Sequence, residues 1–78
     1  MRTTRLRVKI GFTDRPAPAC YRVSQDVYRQ LLQDLDACLR AGRPRPSRHT
    51  YLVWEEDGEV ITYATLDLSQ VESVRIVK

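Results

Sequence analysis

From Ser24 to Gly42 the chain carries one apolar stripe at helical spacing, and that stripe constrains what the rest can form. Tyr28, Leu31, Leu32, Leu35, Cys38 and Leu39 follow the i, i+3, i+4, i+7 rule, with Gln25, Arg29, Gln30, Gln33 and Asp36 on the opposite side. Local signals frame the segment. Ser24 is a good N-cap, Asp26 lies in the first turn where it favours the helix dipole, and Val23 and Tyr28 form a hydrophobic staple. Asp36 and Arg40 can pair one turn apart, Gly42 suits the position just past the end, and Pro44 stops the helix. The spacing predicts a helix over about 24–41. One helix cannot bury its own stripe, so it requires a second layer to pack against.

That layer is predicted to be a sheet. Leu6, Val8, Ile10 and Phe12 alternate with Arg5, Arg7 and Lys9, which marks a strand with one buried and one wet face. Residues 13–18, Thr-Asp-Arg-Pro-Ala-Pro, break it with turn chemistry, and 20–23 read as a short second strand hairpinned to the first. After the helix come three more strands, over 49–55, 59–66 and 71–77, with turns expected at Glu56-Asp57-Gly58 and at 67–70. The result is one α+β domain over 1–78, ββαβββ, with a bent antiparallel sheet, barrel-like if it closes, and one helix packed on it. The expected core is Leu6, Val8, Ile10, Phe12, Tyr28, Leu31, Leu32, Leu35, Leu39, Leu52, Trp54, Val60, Leu66, Val74 and Ile76. Strands 49–55 and 59–66 are apolar on both parities. The alternation assigns Tyr51, Val53, Ile61 and Tyr63 to the face away from the helix, where either the sheet curls over them or a second copy covers them.

Charge is spread unevenly. Residues 1–50 hold eleven Lys/Arg and four Asp/Glu, a balance of +7, whereas residues 51–78 hold two and six, a balance of −4. Cations fall in two groups. Arg5, Arg7 and Lys9 project from one strand face, and Arg40, Arg43, Arg45 and Arg48 cluster at the helix end and in a loop stiffened by Pro44 and Pro46. Guanidinium forks suit phosphate or carboxylate partners.

Most reaction chemistries lack their residues. Cys20, Cys38 and the only histidine, His49, do not have zinc spacing, and the two cysteines are expected to be buried thiols. No base and nucleophile stand in a recognisable arrangement, Gly11, Gly42 and Gly58 are isolated and form no phosphate loop, and the carboxylates of 55–59 bracket a hairpin turn. No catalytic residue, cofactor or metal ligand is assigned. The start alternates and does not form an apolar stretch, and no run reaches the ~18 residues of a membrane span, so a cytoplasmic protein without a membrane partner is expected.

Two functions follow. The first is a non-enzymatic interaction module, a homo-oligomer with a dimer favoured, using Tyr51, Val53, Ile61 and Tyr63 for self-association and taking protein partners. The alternative is a nucleic-acid-binding accessory protein that uses Arg5, Arg7, Lys9, Arg40, Arg43, Arg45 and Arg48, with Tyr51, Trp54 or Tyr63 as stacking platforms. If the strand cations and the loop cations share a side, the loop is the edge of that binding surface; if they do not, it is a rigid linker.

Overall fold

A computed structural model describes residues 5–55 and 59–77, so the expected turn at Glu56-Asp57-Gly58 lies outside the described residues. The elements are β1 (Arg5–Phe12), β2 (Ala19–Ser24), α1 (Gln25–Arg40), β3 (Arg48–Glu55), β4 (Ile61–Asp67), a 3₁₀ turn (Leu68–Gln70) and β5 (Val71–Ile76). All strand pairs are antiparallel, and the spatial order is β4-β3-β2-β1-β5. The ββαβββ order is therefore as expected, but the sheet is open, with β4 and β5 as its edges. Closure into a barrel does not occur. Among the described residues β2 and β3 share the Tyr21↔Glu55 and Arg22↔Trp54 pairs, and β3 and β4 pair from Arg48↔Asp67 to Trp54↔Ile61.

The helix ends as its sequence signals require. The Ser24 hydroxyl accepts the Val27 N–H at 3.2 Å, satisfying one of the first-turn donors. At the other end Gly42 takes φ 81°, the Gly42 N–H donates to the Leu39 carbonyl and the Arg43 N–H to the Cys38 carbonyl. This 5→2 and 6→1 pair is a Schellman motif, which uses glycine because a Cβ is penalised at positive φ. The next segment is tied to the 3₁₀ turn. Asp67 accepts from the Ser47 N–H at 3.0 Å, and the Leu68 N–H donates to the Ser47 carbonyl at 2.8 Å.

Leu31 and Cys38 of α1 pack with Val8, Ile10 and Phe12 of β1, Val23 of β2, Tyr51 and Val53 of β3, and Ala64 and Leu66 of β4 to make the core. Here the structure corrects the sequence reading. Val53 is 2% exposed and Tyr51 is buried, while Leu52 is 40% exposed. The parity of β3 is the reverse of the expected one, because Tyr51 and Val53 turn towards the helix. Tyr51 can be buried because its hydroxyl donates to Asp34 Oδ2 at 2.7 Å, so its one polar group is satisfied. Leu32, Leu39, Val60 and Ile76, also expected in the core, are exposed. In their place the 67–70 segment, read as a turn, supplies Leu68 at 0% exposure, followed by Val71.

One irregularity sets the face of β5. Phe12 pairs with Val71 but Gly11 pairs with Ser73, so Glu72 is an extra residue in the ladder. This bulge reverses the parity after Val71. It directs Ser73 and Arg75 to the face away from the helix and Val74 to the core side.

Candidate anion-binding face

Directly opposed residues of an antiparallel pair share a face. From exposed Lys9, the register therefore defines the whole outer surface of the sheet. Lys9 lies opposite Arg75 on β5 and Cys20 on β2, Arg7 opposite Arg22, Arg22 opposite Trp54, Trp54 opposite Ile61, and Leu52 opposite Tyr63. Arg5, Arg7, Lys9, Arg22 and Arg75 thus sit on three adjacent strands, β2, β1 and β5. Leu52, Trp54, Ile61 and Tyr63 occupy the neighbouring pair, β3 and β4. Tyr63 is 74% and Ile61 50% exposed. The apolar group on β3 and β4 is followed along the same face by the hydrogen-bonded Thr50–Thr65 pair and by Arg48 opposite Asp67.

At the seam Arg5 lies over the Trp54 ring, its guanidinium carbon 4.4 Å from the centroid. Arg5 Nη1 donates to Glu59 at 2.7 Å, and Arg22 Nη1 approaches the other oxygen of the same carboxylate at 3.8 Å. The hydrogen bond from Arg5, then its charge, hold the Glu59 carboxyl below the usual carboxylate range. Glu59 thus shows that this end of the face accepts an anion between two guanidiniums.

At the opposite edge the face deepens into a cleft of about 280 Å³ between β1, β5 and the 13–18 loop. Lys9, Gly11 and Phe12 of β1 and Glu72, Ser73 and Arg75 of β5 line it together with Arg15, Pro16 and Pro18 of the loop. The loop is held in place by Thr13, whose N–H donates to the Gln70 carbonyl at 2.8 Å, and by Arg15, which stacks on the Phe12 ring at 4.3 Å. A Cβ on Gly11 would lie 2.7 Å from Ser73 Oγ, so the absence of a side chain there leaves room for the hydroxyl.

The loop cations do not join this surface as a group. Arg40, at the end of α1, pairs with Asp36 at 3.0 Å on the helix side. Arg43, at φ 57°, donates to the Val71 carbonyl at 3.4 Å and so braces the loop against the start of β5. Arg45 is exposed in the loop, and Arg48 opens β3 opposite Asp67. Arg48 has the outer parity but lies six residues from Trp54, roughly 20 Å along the strand. The strand cations and the loop cations are two separate groups.

Of the expected self-association residues, Ile61 and Tyr63 are on the outer face, whereas Tyr51 and Val53 are in the core. Arg15, Arg22, Ser73 and Arg75 were not among the expected site residues. The alternation of Tyr21 and Val23 against Arg22 carries a signal for Arg22, but Arg75 meets Lys9 only through a register that no local pattern encodes.

Reactive groups stand apart from the cleft. His49 Nδ1 is 3.5 Å from Asp34 Oδ2, the same oxygen that accepts from Tyr51, and its ring stacks on Tyr51 at 6.3 Å between centroids. Burial first, then the bond to Asp34, raise the Tyr51 hydroxyl far above its ordinary range. Cys38 is in the core and Cys20 is on the outer face, so the sheet separates the two free thiols. Among the described residues no cluster of three or more His, Cys, Asp and Glu side chains could hold a metal, and no helix is long and apolar enough to cross a membrane.

No protein-family model matches this chain, and no curated protein or solved structure does so either.

Proposed function

We propose that this protein is a binding module for single-stranded nucleic acid, which it takes on the sheet face away from α1. The observation that carries this reading is the gathering of cations on β2, β1 and β5 of that face beside the exposed Tyr63, Ile61 and Leu52 and the half-buried Trp54 on β3 and β4. Single strands are held without sequence preference by that combination, cations along the backbone and aromatic rings under the bases. Arg7, Lys9 and Arg75 serve the phosphates, Tyr63 supplies an open ring, and Trp54 a second ring under Arg5. A phosphate entering at the seam competes with Glu59 for Arg5 and Arg22. In this reading the protein carries out no reaction of its own.

The folding energetics support it. Lys9 faces Arg75, and Arg7 faces Arg22, directly across strand pairs, where like charges destabilise the sheet. Glu59, 3.8 Å from Arg22, offsets part of the second pairing, and an anionic partner would offset the first.

The test is binding of a labelled mixed-sequence oligonucleotide over a range of salt. Single strands lose roughly 0.7 in the slope of log K against log salt for each phosphate neutralised. Lys9→Gln with Arg75→Gln should therefore flatten the slope by about 1.4. An unchanged slope would remove these cations from the interface.

A second reading, a homo-oligomer acting through protein contacts, is favoured by one observation. β4 is an edge strand, and its Ile61 and Tyr63 lie exposed beside Leu52. Light scattering at high micromolar concentration tests it: a dimer that Tyr63→Asp dissociates supports this reading, and a strict monomer removes it.

A further inference from the structure

The cleft at the β1–β5 edge has a chemistry that backbone tracking does not require. We propose that it is a site for a phosphate monoester, and that on the nucleic-acid reading above, on which this extension rests, its ligand is the terminal phosphate of the strand. Three cations, Lys9, Arg15 and Arg75, line one concavity of about 280 Å³ with one lining carboxylate, Glu72, while the Asp14 carboxylate lies 3.8 Å from Arg15 Nε. A backbone phosphodiester carries one charge and can be tracked by cations on an open surface. A terminal monoester carries close to two charges near neutral pH, with three strong acceptor oxygens, and so suits a recess lined by several donors.

Three independent features shape the recess. The Glu72 bulge turns Ser73 and Arg75 outward onto the face of Lys9, and bulges commonly re-aim side chains beside binding sites. Gly11 leaves space for Ser73 Oγ, a neutral donor between the cations. Arg15 comes from the loop outside the sheet, positioned by its stack on Phe12, and adds a third cation to the lining. The cleft also lies at the far edge from the aromatic residues. Three strand spacings, roughly 14 Å, separate the β3 column of Trp54 from the β5 column of Arg75. A short strand with a base on Tyr63 can thus run past Trp54 across the cation row and end in the cleft.

The experiment compares one mixed-sequence oligonucleotide bearing a 5′-phosphate, a 3′-phosphate or neither, with inorganic phosphate as a separate titrant followed by the Gly11 and Ser73 amide signals. One of the phosphorylated strands should bind about tenfold more tightly than the unphosphorylated one, the scale of one charge-assisted contact. Arg15→Gln and Ser73→Ala, both at the cleft surface and both checked for native circular dichroism, should each reduce that preference to threefold or less and leave binding of the unphosphorylated strand within twofold. Equal binding of all three strands, with no shift of the two amides by phosphate, overturns the proposal, even if the strands bind through the aromatic residues. If no strand binds while phosphate shifts Gly11 and Ser73 and Arg15→Gln abolishes the shift, the monoester site stands, its ligand is a small phosphorylated molecule, and the nucleic-acid reading fails.

Discussion

Leu52 and Val53 are neighbours on one strand, yet Val53 is 2% exposed and Leu52 is 40% exposed. The contrast extends to the two faces they belong to. The inner face has one chemistry, aliphatic and aromatic side chains closed off by α1, with the polar tip of Tyr51 satisfied by Asp34. The outer face has two: cations gather on β2, β1 and β5, and Leu52, Trp54, Ile61 and Tyr63 on β3 and β4, beside the Thr50–Thr65 pair. Lys9 and Arg75 are like charges directly opposed on that face, a pairing that an anionic partner would offset.

The largest effect should come from testing which face is the core. Leu68→Ala is expected to cost about 2–5 kcal/mol in chemical denaturation, because a fully buried leucine leaves a cavity. Leu52→Ala should stay within roughly 0.5 kcal/mol, as surface changes do. In a domain of this size the first loss is a large part of the total stability. Equal losses for the two variants would contradict the assigned parity of β3.

On the outer face, Tyr63→Ala should weaken oligonucleotide binding by about 1–3 kcal/mol, the value of one base stacked on an aromatic ring, with an unchanged melting temperature. Normal binding by this variant would confine recognition to the cations. Arg75→Gln should have the smaller and opposite effect on folding. It relieves the pairing with Lys9 and should raise stability by a few tenths of a kcal/mol while weakening binding. A loss of stability would mean that Arg75 has a structural role.

The smallest effects are in pH dependence, and they concern the seams. The Ser69 hydroxyl first, then the Ser47 backbone N–H, depress the folded-state pKa of Asp67. A depressed carboxylate stabilises the fold above its unfolded value, and that contribution is lost as pH falls through the folded value. Asp67→Asn should therefore lower the melting temperature at pH 7, by a margin that shrinks as pH falls below 3.8 and through the folded value. Tyr51 behaves in the opposite sense. Its raised pKa gives stability that is complete below the unfolded value of 10.0 and declines at higher pH, so Tyr51→Phe should show a shallower loss of stability above pH 10.

How much of this was legible in the sequence varied by element. The helix was legible, because Ser24 and Gly42 act locally and its core stripe has a single period. β1 was legible because charges and aliphatics alternate without exception from Arg5 to Lys9. β3 was not. Tyr51, Leu52, Val53 and Trp54 are apolar on both parities, and the choice between them is made by Asp34, seventeen positions from Tyr51, which gives the hydroxyl a buried partner. Leu68 was missed because a 3₁₀ turn capped by Asp67 resembles an exposed turn in sequence. The site was legible as a row of three cations. Its extension to Arg75 depends on a bulge and on a pairing between the two ends of the described chain, which only the folded sheet specifies.

The central claim is that the outer face binds single-stranded nucleic acid, and the chain holds one tryptophan, Trp54, at the seam of that face. Its fluorescence during titration with a mixed-sequence oligonucleotide is the most direct test. The account predicts a saturable change that weakens steeply with salt and is reduced in Tyr63→Ala. A Trp54 signal that stays constant while a labelled oligonucleotide is shown to bind would place the ligand elsewhere, and no binding at low salt would contradict the claim outright.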